Sequence, residues 1–294
     1  MTDRMSRPRY GLYAPNFGKA VNARTLADLA VEAESAEWDG FFLWDHVMHS
    51  RNQRLPMVDS LTALAAMAVN TNRIKLGTTI TPLARRRPWV VARQTATLDH
   101  LSNGRMILGV GLGEPADADF ELFGESGDSK VRAEKLDEGL EILTRLWSGG
   151  QVKYRGRHFQ INGARFYPSP KQKPRIPIWV GGFWPNKKPF QRAARWDGVI
   201  PLSKLGSIRP QPRLVRDIIT YIRENRSSRA PFDIAVIGWG TGKDLEKNAK
   251  KIRPYIDAGI TWWLESLYTK QNSLRKLRER ILQGPPKLPR DYSP

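Results

Sequence analysis

The chain has 294 residues and no cysteine, which excludes disulfides, thiolate metal sites and cysteine nucleophiles. Hydrophobic residues make up 40% and aromatics 10%, so the chain is globular and able to bury a large core. The net charge of +19 raises nucleic acid or an anionic membrane surface as a partner. The basic residues, however, are spread over "RPQPRLVRDIITYIRENRSSR" (209–229), "KDLEKNAKKIR" (243–253) and "SLRKLRERI" (273–281), with apolar residues at helical spacing between them. This pattern reads as a solvated basic coat on core-facing helices, with no zinc-finger, stacking-sheet or basic-zipper signature. No run of about 18 apolar residues predicts a membrane span. The start, "MTDRMSRPRYGLYAP", lacks the apolar core of a signal peptide, so a cytoplasmic location is expected.

In chain order, β-rich apolar runs alternate with helical periods. The predicted units are strand 10–15 with helix 24–37, strand 40–44 with helix 59–70, strand 74–80 with helix 89–101, and strand 105–111 with helix 131–147. They continue with strand 176–182 and helix 188–195, strand 197–202 and helix 211–225, strand 232–240 and helix 243–256, and strand 260–266 and helix 272–282. Eight strand–helix units predict an α/β fold, a (β/α)8 barrel, as one domain over 1–294. Continuous apolar strands fit a sheet buried on both faces. A doubly wound open sheet is the alternative, but no GxGxxG turn follows the first strand. Segment 148–175 breaks the alternation. "QVKYRGRHFQI" predicts a hairpin between the fourth and fifth strands, expected at the active-site end as a lid or substrate wall.

Barrel chemistry sits at the C-terminal strand ends. There stand Asn16 and Phe17, then Asp45 and His46 in "GFFLWDHVMHS", then Thr78, Thr79 and Thr81. The fourth strand runs through "GVGLGEP" to Glu114; the fifth gives Gly181, Gly182 and Trp184; the seventh gives Trp239 and Lys243; the eighth gives Trp263 and Glu265. Each could be structural alone, and a DH pair is commonly no more than a polar turn. Together they suggest a flat aromatic ligand with a phosphate tail. Gly109, Gly111 and Gly113 would let a planar ring approach backbone. "GGFWPNKKPF" ends a strand and opens a helix whose N–H groups could hold the phosphate, with Lys187 and Lys188 adding charge. "GWGTGKD" is the second phosphate candidate; the plain reading of either cluster is a tight turn.

"LGTTITPLARRRPWVVARQTATLDHLSNGRMILGVGLGEP" (76–115), "PIWVGGFWPNKKPFQRAARWDGV" (177–199) and "WDHV" resemble the bacterial-luciferase-like oxidoreductases, FMN- and F420-dependent barrels, over nearly the whole chain. The resemblance implies that His46 lies beside the reactive ring and moves a proton, and that Asp45 contacts the ring or supports His46. It implies Glu114 as partner acid or base, as in the F420 dehydrogenases. The cofactor is expected to be FMN or F420, with a lean to F420. Thr78, Thr79, Gly111 and Gly113 are expected beside the ring, and Gly181, Gly182 and Trp184 at the phosphate. Two departures matter. Val47 stands where bacterial luciferase has a second histidine, and "GTTITP" is shorter than the bulged turn of the sugar-phosphate F420 dehydrogenase. The expected partner is a small organic molecule undergoing hydride transfer or oxygenation. No metal, specific nucleic acid or membrane partner is expected, and a homodimer is compatible. Two other classes compete: a non-catalytic flavin-binding protein, which retention of His46 and Glu114 disfavours, and a charge-driven nucleic-acid binder, which needs a continuous basic stripe.

Overall fold

The computed structural model describes residues 7–19, 21–205, 207–268 and 273–288. Residue 272, where the last helix is expected to begin, and the first six residues lie outside these segments. Among the described residues there are ten strands: β1 Arg9–Ala14, β2 Gly40–Leu43, β3 Lys75–Pro82, β4 Met106–Gly111, β5 Gln151–Arg155, β6 Gln160–Arg165, β7 Ile178–Trp184, β8 Gly198–Ser203, β9 Asp233–Gly238 and β10 Trp262–Ser266. The helices are α1 Ala23–Ser35, α2 Ser60–Asn70, α3 Pro88–Leu101, α4 Ala116–Asp119, α5 Ser129–Trp147, α6 Lys188–Ala193, α7 Pro212–Asn225, α8 Leu245–Ile256 and α9 Leu274–Leu282. Eight strands close in the order β1-β10-β9-β8-β7-β4-β3-β2, all parallel, which rules out the open sheet.

Local signals start the helices where the sequence indicates. Asn22, Asp59 and Asp128 each accept a hydrogen bond from a first-turn amide of α1, α2 and α5, satisfying donors the helix itself cannot. Strand alternation then divides the core in two. Phe42, Ile107, Trp179, Ile200, Ala235, Ile237, Trp262 and Leu264 fill the barrel interior. The other faces pack against the helices in a larger layer that includes Leu43, Leu108, Val180 and Trp263. The interior is solid; Phe42, Trp179 and Trp262 stack or cross edge-to-face at 5.2 to 5.6 Å. Ligands must therefore bind above it, at the mouth formed by the C-terminal strand ends.

The predicted hairpin is present as β5–β6, antiparallel, but its expected place at the active-site end is wrong. It connects a helix to the next strand, and such connections lie at the N-terminal face, opposite the mouth. Residues 166–175 pack there: the Arg93 guanidinium donates to the Tyr167 carbonyl, His100 bonds the Ser169 carbonyl, and Gln172 bonds Asp99. From that base the hairpin climbs the outer wall. Its tip is fixed to α5 by Glu138, which accepts from the amides of Arg157, His158 and Phe159, and by Glu134, 3.0 Å from His158 Nε2.

Much of the strongest family-like stretch is structural. Arg105, 6% exposed, donates to the carbonyls of Ala68, Thr71, Ile74 and Ser102 and to the Thr71 hydroxyl, tying α2 to β3. Asn103 and Gly104 make the left-handed turn that delivers it.

Candidate active site

His46 follows β2 on its inward-facing row, after Phe42 and Trp44. Asn16, buried after β1, fixes the backbone there: its Nδ2 donates to the carbonyls of His46 and Val58, both at 2.8 Å. The Nδ1 of His46 lies 3.5 Å from Oδ2 of Asp119, a long charge–dipole pairing. Asp119 is fully buried. Its Oδ1 accepts from the amides of Val47 and Met48 at 2.7 and 3.1 Å, and its Oδ2 faces Nε of Arg85 at 3.3 Å. Burial pushes this carboxyl upward, but His46, Arg85 and the two amides outweigh it and hold it below the ordinary carboxylate range.

Asp45 corrects an expectation. It falls between two inward residues and so points to the outer layer. There it meets Arg86 Nη2 at 2.6 Å and Arg85 Nη2 at 3.6 Å. Its carboxylate is spent on two guanidiniums, and the support of His46 passes to Asp119. Glu114 is at the rim, its side chain 62% exposed, with Arg132 Nη2 at 3.5 Å. Arg132 itself lies buried over the Phe120 ring and donates to the Gly113 carbonyl, so it shapes the turn that presents Glu114.

The third-strand turn is not the simple one expected. Between Thr78 and Thr81 the register advances three residues on β3 against two on β4, a one-residue bulge. The Thr79–Ile80 peptide within it is cis. The bulge reverses the alternation. Thr78, expected beside a ring, instead points to the outer layer and donates to the Gly109 carbonyl at 3.0 Å. Ile80 turns inward and packs on the barrel interior. A Cβ on Gly111 would lie 2.2 Å from Ile80 Cδ1, and one on Gly181 would lie 3.0 Å from Ile80 Cγ2. The Thr79 hydroxyl is buried without a hydrogen-bond partner among the described residues.

The other glycines meet neighbouring structure. A Cβ on Gly109 would meet the Thr78 carbonyl oxygen at 2.1 Å, so this glycine lets β3 and β4 approach. Gly113 sits at φ +83° with Pro82 and Phe120 against it, a turn requirement and not a ring contact. Gly182 is closed by Pro189 of α6. Trp184 points outward, edge-on to Phe190 and Tyr221, with Lys187 Nζ 3.4 Å from its ring centre. Neither faces the mouth. Trp263 and Glu265 also leave the mouth: the Glu265 carboxylate, buried in the outer layer, accepts from Trp263 Nε1 and the Thr241 amide. Of the expected residues, His46, Gly111 and Gly181 stand on inward rows at the strand ends, Thr79 lies buried in the bulge beside Ile80, and Glu114 is exposed at the rim. Asp119, Arg85 and Ile80 are the additions.

Among the described residues no His, Asp and Glu cluster could hold a metal ion. No helix among them is long and apolar enough to cross a membrane.

A parallel barrel with this acid–imidazole pair above a glycine-lined floor defines a class, and comparison with known proteins supplies the family. Residues 6–238 match the model of the luciferase-like monooxygenases, and the chain belongs to that family. It is 32% identical over 308 residues to an F420-dependent glucose-6-phosphate dehydrogenase of Amycolatopsis mediterranei (strain U-32), covering 87% of this chain and 91% of that protein. Among solved structures, an F420-dependent secondary alcohol dehydrogenase in complex with an F420–acetone adduct superposes with a TM-score of 0.78 at 18% identity, covering 94% and 97% of the two chains. The coenzyme F420-dependent tetrahydromethanopterin reductase from Methanopyrus kandleri gives 0.72 at 18% identity, covering 95% and 99%. At that identity the two structures speak for the fold. The chain is a flavin- or F420-dependent oxidoreductase of the luciferase-like family.

Proposed function

We propose that this enzyme moves hydride between F420 and a small organic substrate at the barrel mouth, with His46 carrying the accompanying proton. The observation that carries the reading is the His46–Asp119 pair. The Asp119 carboxylate, 3.5 Å from an Nδ1 that has no other partner among the described residues, favours the proton on Nδ1, and Nε2 then serves as the basic nitrogen. The mouth also fits a flat ring. Ile80 provides an apolar floor, Gly111 and Gly181 carry no side chain beside it, and the unpartnered Thr79 hydroxyl can bond a ring heteroatom. When bound, the cofactor supplies or accepts the hydride. Glu114, at the rim, is the second acid or base, and Arg132 holds its turn in place.

The phosphate end is assigned to the β7–α6 turn with Lys188, since Lys187 Nζ is held on the Trp184 and Tyr221 rings. The competing turn after β9 has its polar groups in use. The amides of Thr241 and Gly242 donate to Glu265 and Asn248, and Lys251 Nζ ties down the carbonyls of Trp239 and Gly240. F420 is preferred over FMN because the full-length relative named above uses it and because the +19 surface favours a polyanionic tail. The basic surface is otherwise a solvated coat. Duplex DNA should bind weakly at physiological salt and without sequence preference. The protein is placed in the cytoplasm, and a homodimer is compatible with the site, which one chain completes. Separate titrations of the purified protein with F420 and FMN test the reading. F420 should bind at least about tenfold more tightly; tighter FMN binding would move the enzyme to the flavin branch, and binding of neither would end the proposal.

A further inference from the structure

This inference rests on the hydride-transfer reading and concerns where the proton on His46 goes. The Nδ1 side of His46 faces the buried Asp119, and only 15% of the side chain is exposed, so direct release to water is restricted. A second imidazole stands beside it. The His46 and His49 rings lie 5.2 Å apart, centre to centre, inclined at 66°. At that separation a proton can pass between their edges directly or through one water.

His49 lies on the way out. Its ring is half-buried, stacked on Phe17 at 4.4 Å with Trp44 at 6.0 Å, and the next two residues, Ser50 and Arg51, are exposed. Packing alone does not explain an imidazole here. A phenyl ring would stack on Phe17 equally well, whereas His49 Nδ1 is buried with no hydrogen-bond partner among the described residues, which costs stability. Burial is the first cause that depresses the His49 pKa; the neighbouring His46 lowers it further, and Asp119 opposes both. The other rings against it, Phe17 and Trp44, are uncharged. His49 is therefore neutral when His46 takes up a proton, and it holds a transferred proton weakly enough to let it go.

We propose that His46 and His49 hold one proton between them and that His49 passes it between the site and solvent. In oxidation the substrate O–H proton moves to Nε2 of His46. That N–H bond then breaks as an N–H bond forms on His49, and His46 returns to its neutral Nδ1–H form. His49 gives the proton to water and is neutral again. In reduction the proton runs back along the pair. His49 does not touch the substrate; it acts through His46.

The first test needs neither cofactor nor substrate. The chain has four histidines, and His49→Phe, which keeps the stack on Phe17, identifies the His49 signal by its loss in an NMR pH titration of the imidazole protons. His49 should titrate below its ordinary value, and His46→Gln should move it upward. A His49 titration unchanged by His46→Gln would overturn the shared proton. The second test follows F420 reduction with glucose 6-phosphate and 2-propanol as probe substrates. In His49→Phe the first equivalent of F420 should be reduced within about twofold of the parent rate, and later turnover should fall about tenfold. The loss stays below that of a direct acid–base group because His46 keeps some exposure of its own. Added imidazole should restore most of it, which a packing role would not allow, and His49→Gln should be as slow as His49→Phe. Parental turnover in His49→Phe, or a loss that imidazole leaves untouched, would overturn the relay while the functional reading stands. Should neither probe be turned over, the NMR result decides alone. If neither F420 nor FMN binds, the functional reading falls and the relay with it.

Discussion

Asp119→Asn isolates the group that supports His46 in the proposed mechanism. The substitution is nearly isosteric, and the amide oxygen can keep the Val47 and Met48 hydrogen bonds at 2.7 and 3.1 Å. The new NH2 group then replaces Oδ2. It faces Arg85 Nε, which was donating at 3.3 Å, and His46 Nδ1, 3.5 Å away. For Arg85 the change removes one charged partner of two, since Asp45 remains at 3.6 Å. Losing a charge-assisted bond in a fully buried place costs about 2–3 kcal/mol, short of the cost of stranding the guanidinium outright. For His46 the change is chemical. The amide donates to Nδ1, the proton moves to Nε2, and the basic nitrogen is lost. General acid–base groups contribute about 10² to 10⁴ in rate, and kcat should fall within that range. Urea unfolding measures the first effect; F420 reduction and F420 affinity measure the second. A variant that folds, binds cofactor normally and keeps kcat within about twofold would show that Asp119 does not set the His46 tautomer.

His46→Ala should lower kcat by about 10² to 10⁴ with little change in cofactor affinity; loss of the melting transition with full activity per folded molecule would make the residue structural. Gly109→Ala should destabilise by about 3 kcal/mol or prevent folding, because its Cβ would meet the Thr78 carbonyl oxygen at 2.1 Å and backbone cannot step aside; a variant with a wild-type urea midpoint would contradict the strand spacing. His49 gives a pH signature. Its folded pKa lies below the ordinary 6.5, so the unfolded chain takes up the proton first as pH falls. Stability from this site is full above 6.5 and declines through the interval between that value and the depressed one. His49→Phe, which keeps the ring stacked on Phe17, should show a smaller fall in Tm between about pH 7.5 and about pH 5.5 than the parent; an equal fall would place the titration elsewhere.

The barrel was legible because its signals are local. The eight apolar runs and the caps Asn22, Asp59 and Asp128 mark each unit without reference to the rest of the chain. The hairpin was legible as a hairpin and misplaced in space, although a helix-to-strand connection already fixes it to the N-terminal face. Asp45 was also decidable: with Phe42 inward, period two sends it outward and His46 inward. The same rule fails at Thr78–Thr81, where one extra residue reverses the faces and puts Ile80 in the mouth. Asp119 carried no sequence signal of its own. It is one of several acids in "EPADADFE", and only the fold selects it, by bringing that loop against the amides of Val47 and Met48. The glycines look alike in the sequence; parity separates Gly181 from Gly182 but not Gly109 from Gly111, which share the inward row of β4, and only the height along the strand, with Gly109 against the Thr78 carbonyl and Gly111 at the strand end, tells those two apart.

The most direct test of the central claim is a crystal structure of the enzyme with F420 bound. The ring is expected over Ile80, between Gly111 and Gly181, with His46 Nε2 facing the substrate side and the phosphate near Lys188. A ring elsewhere than the mouth, or a phosphate held at Gly240 to Lys243, would contradict it.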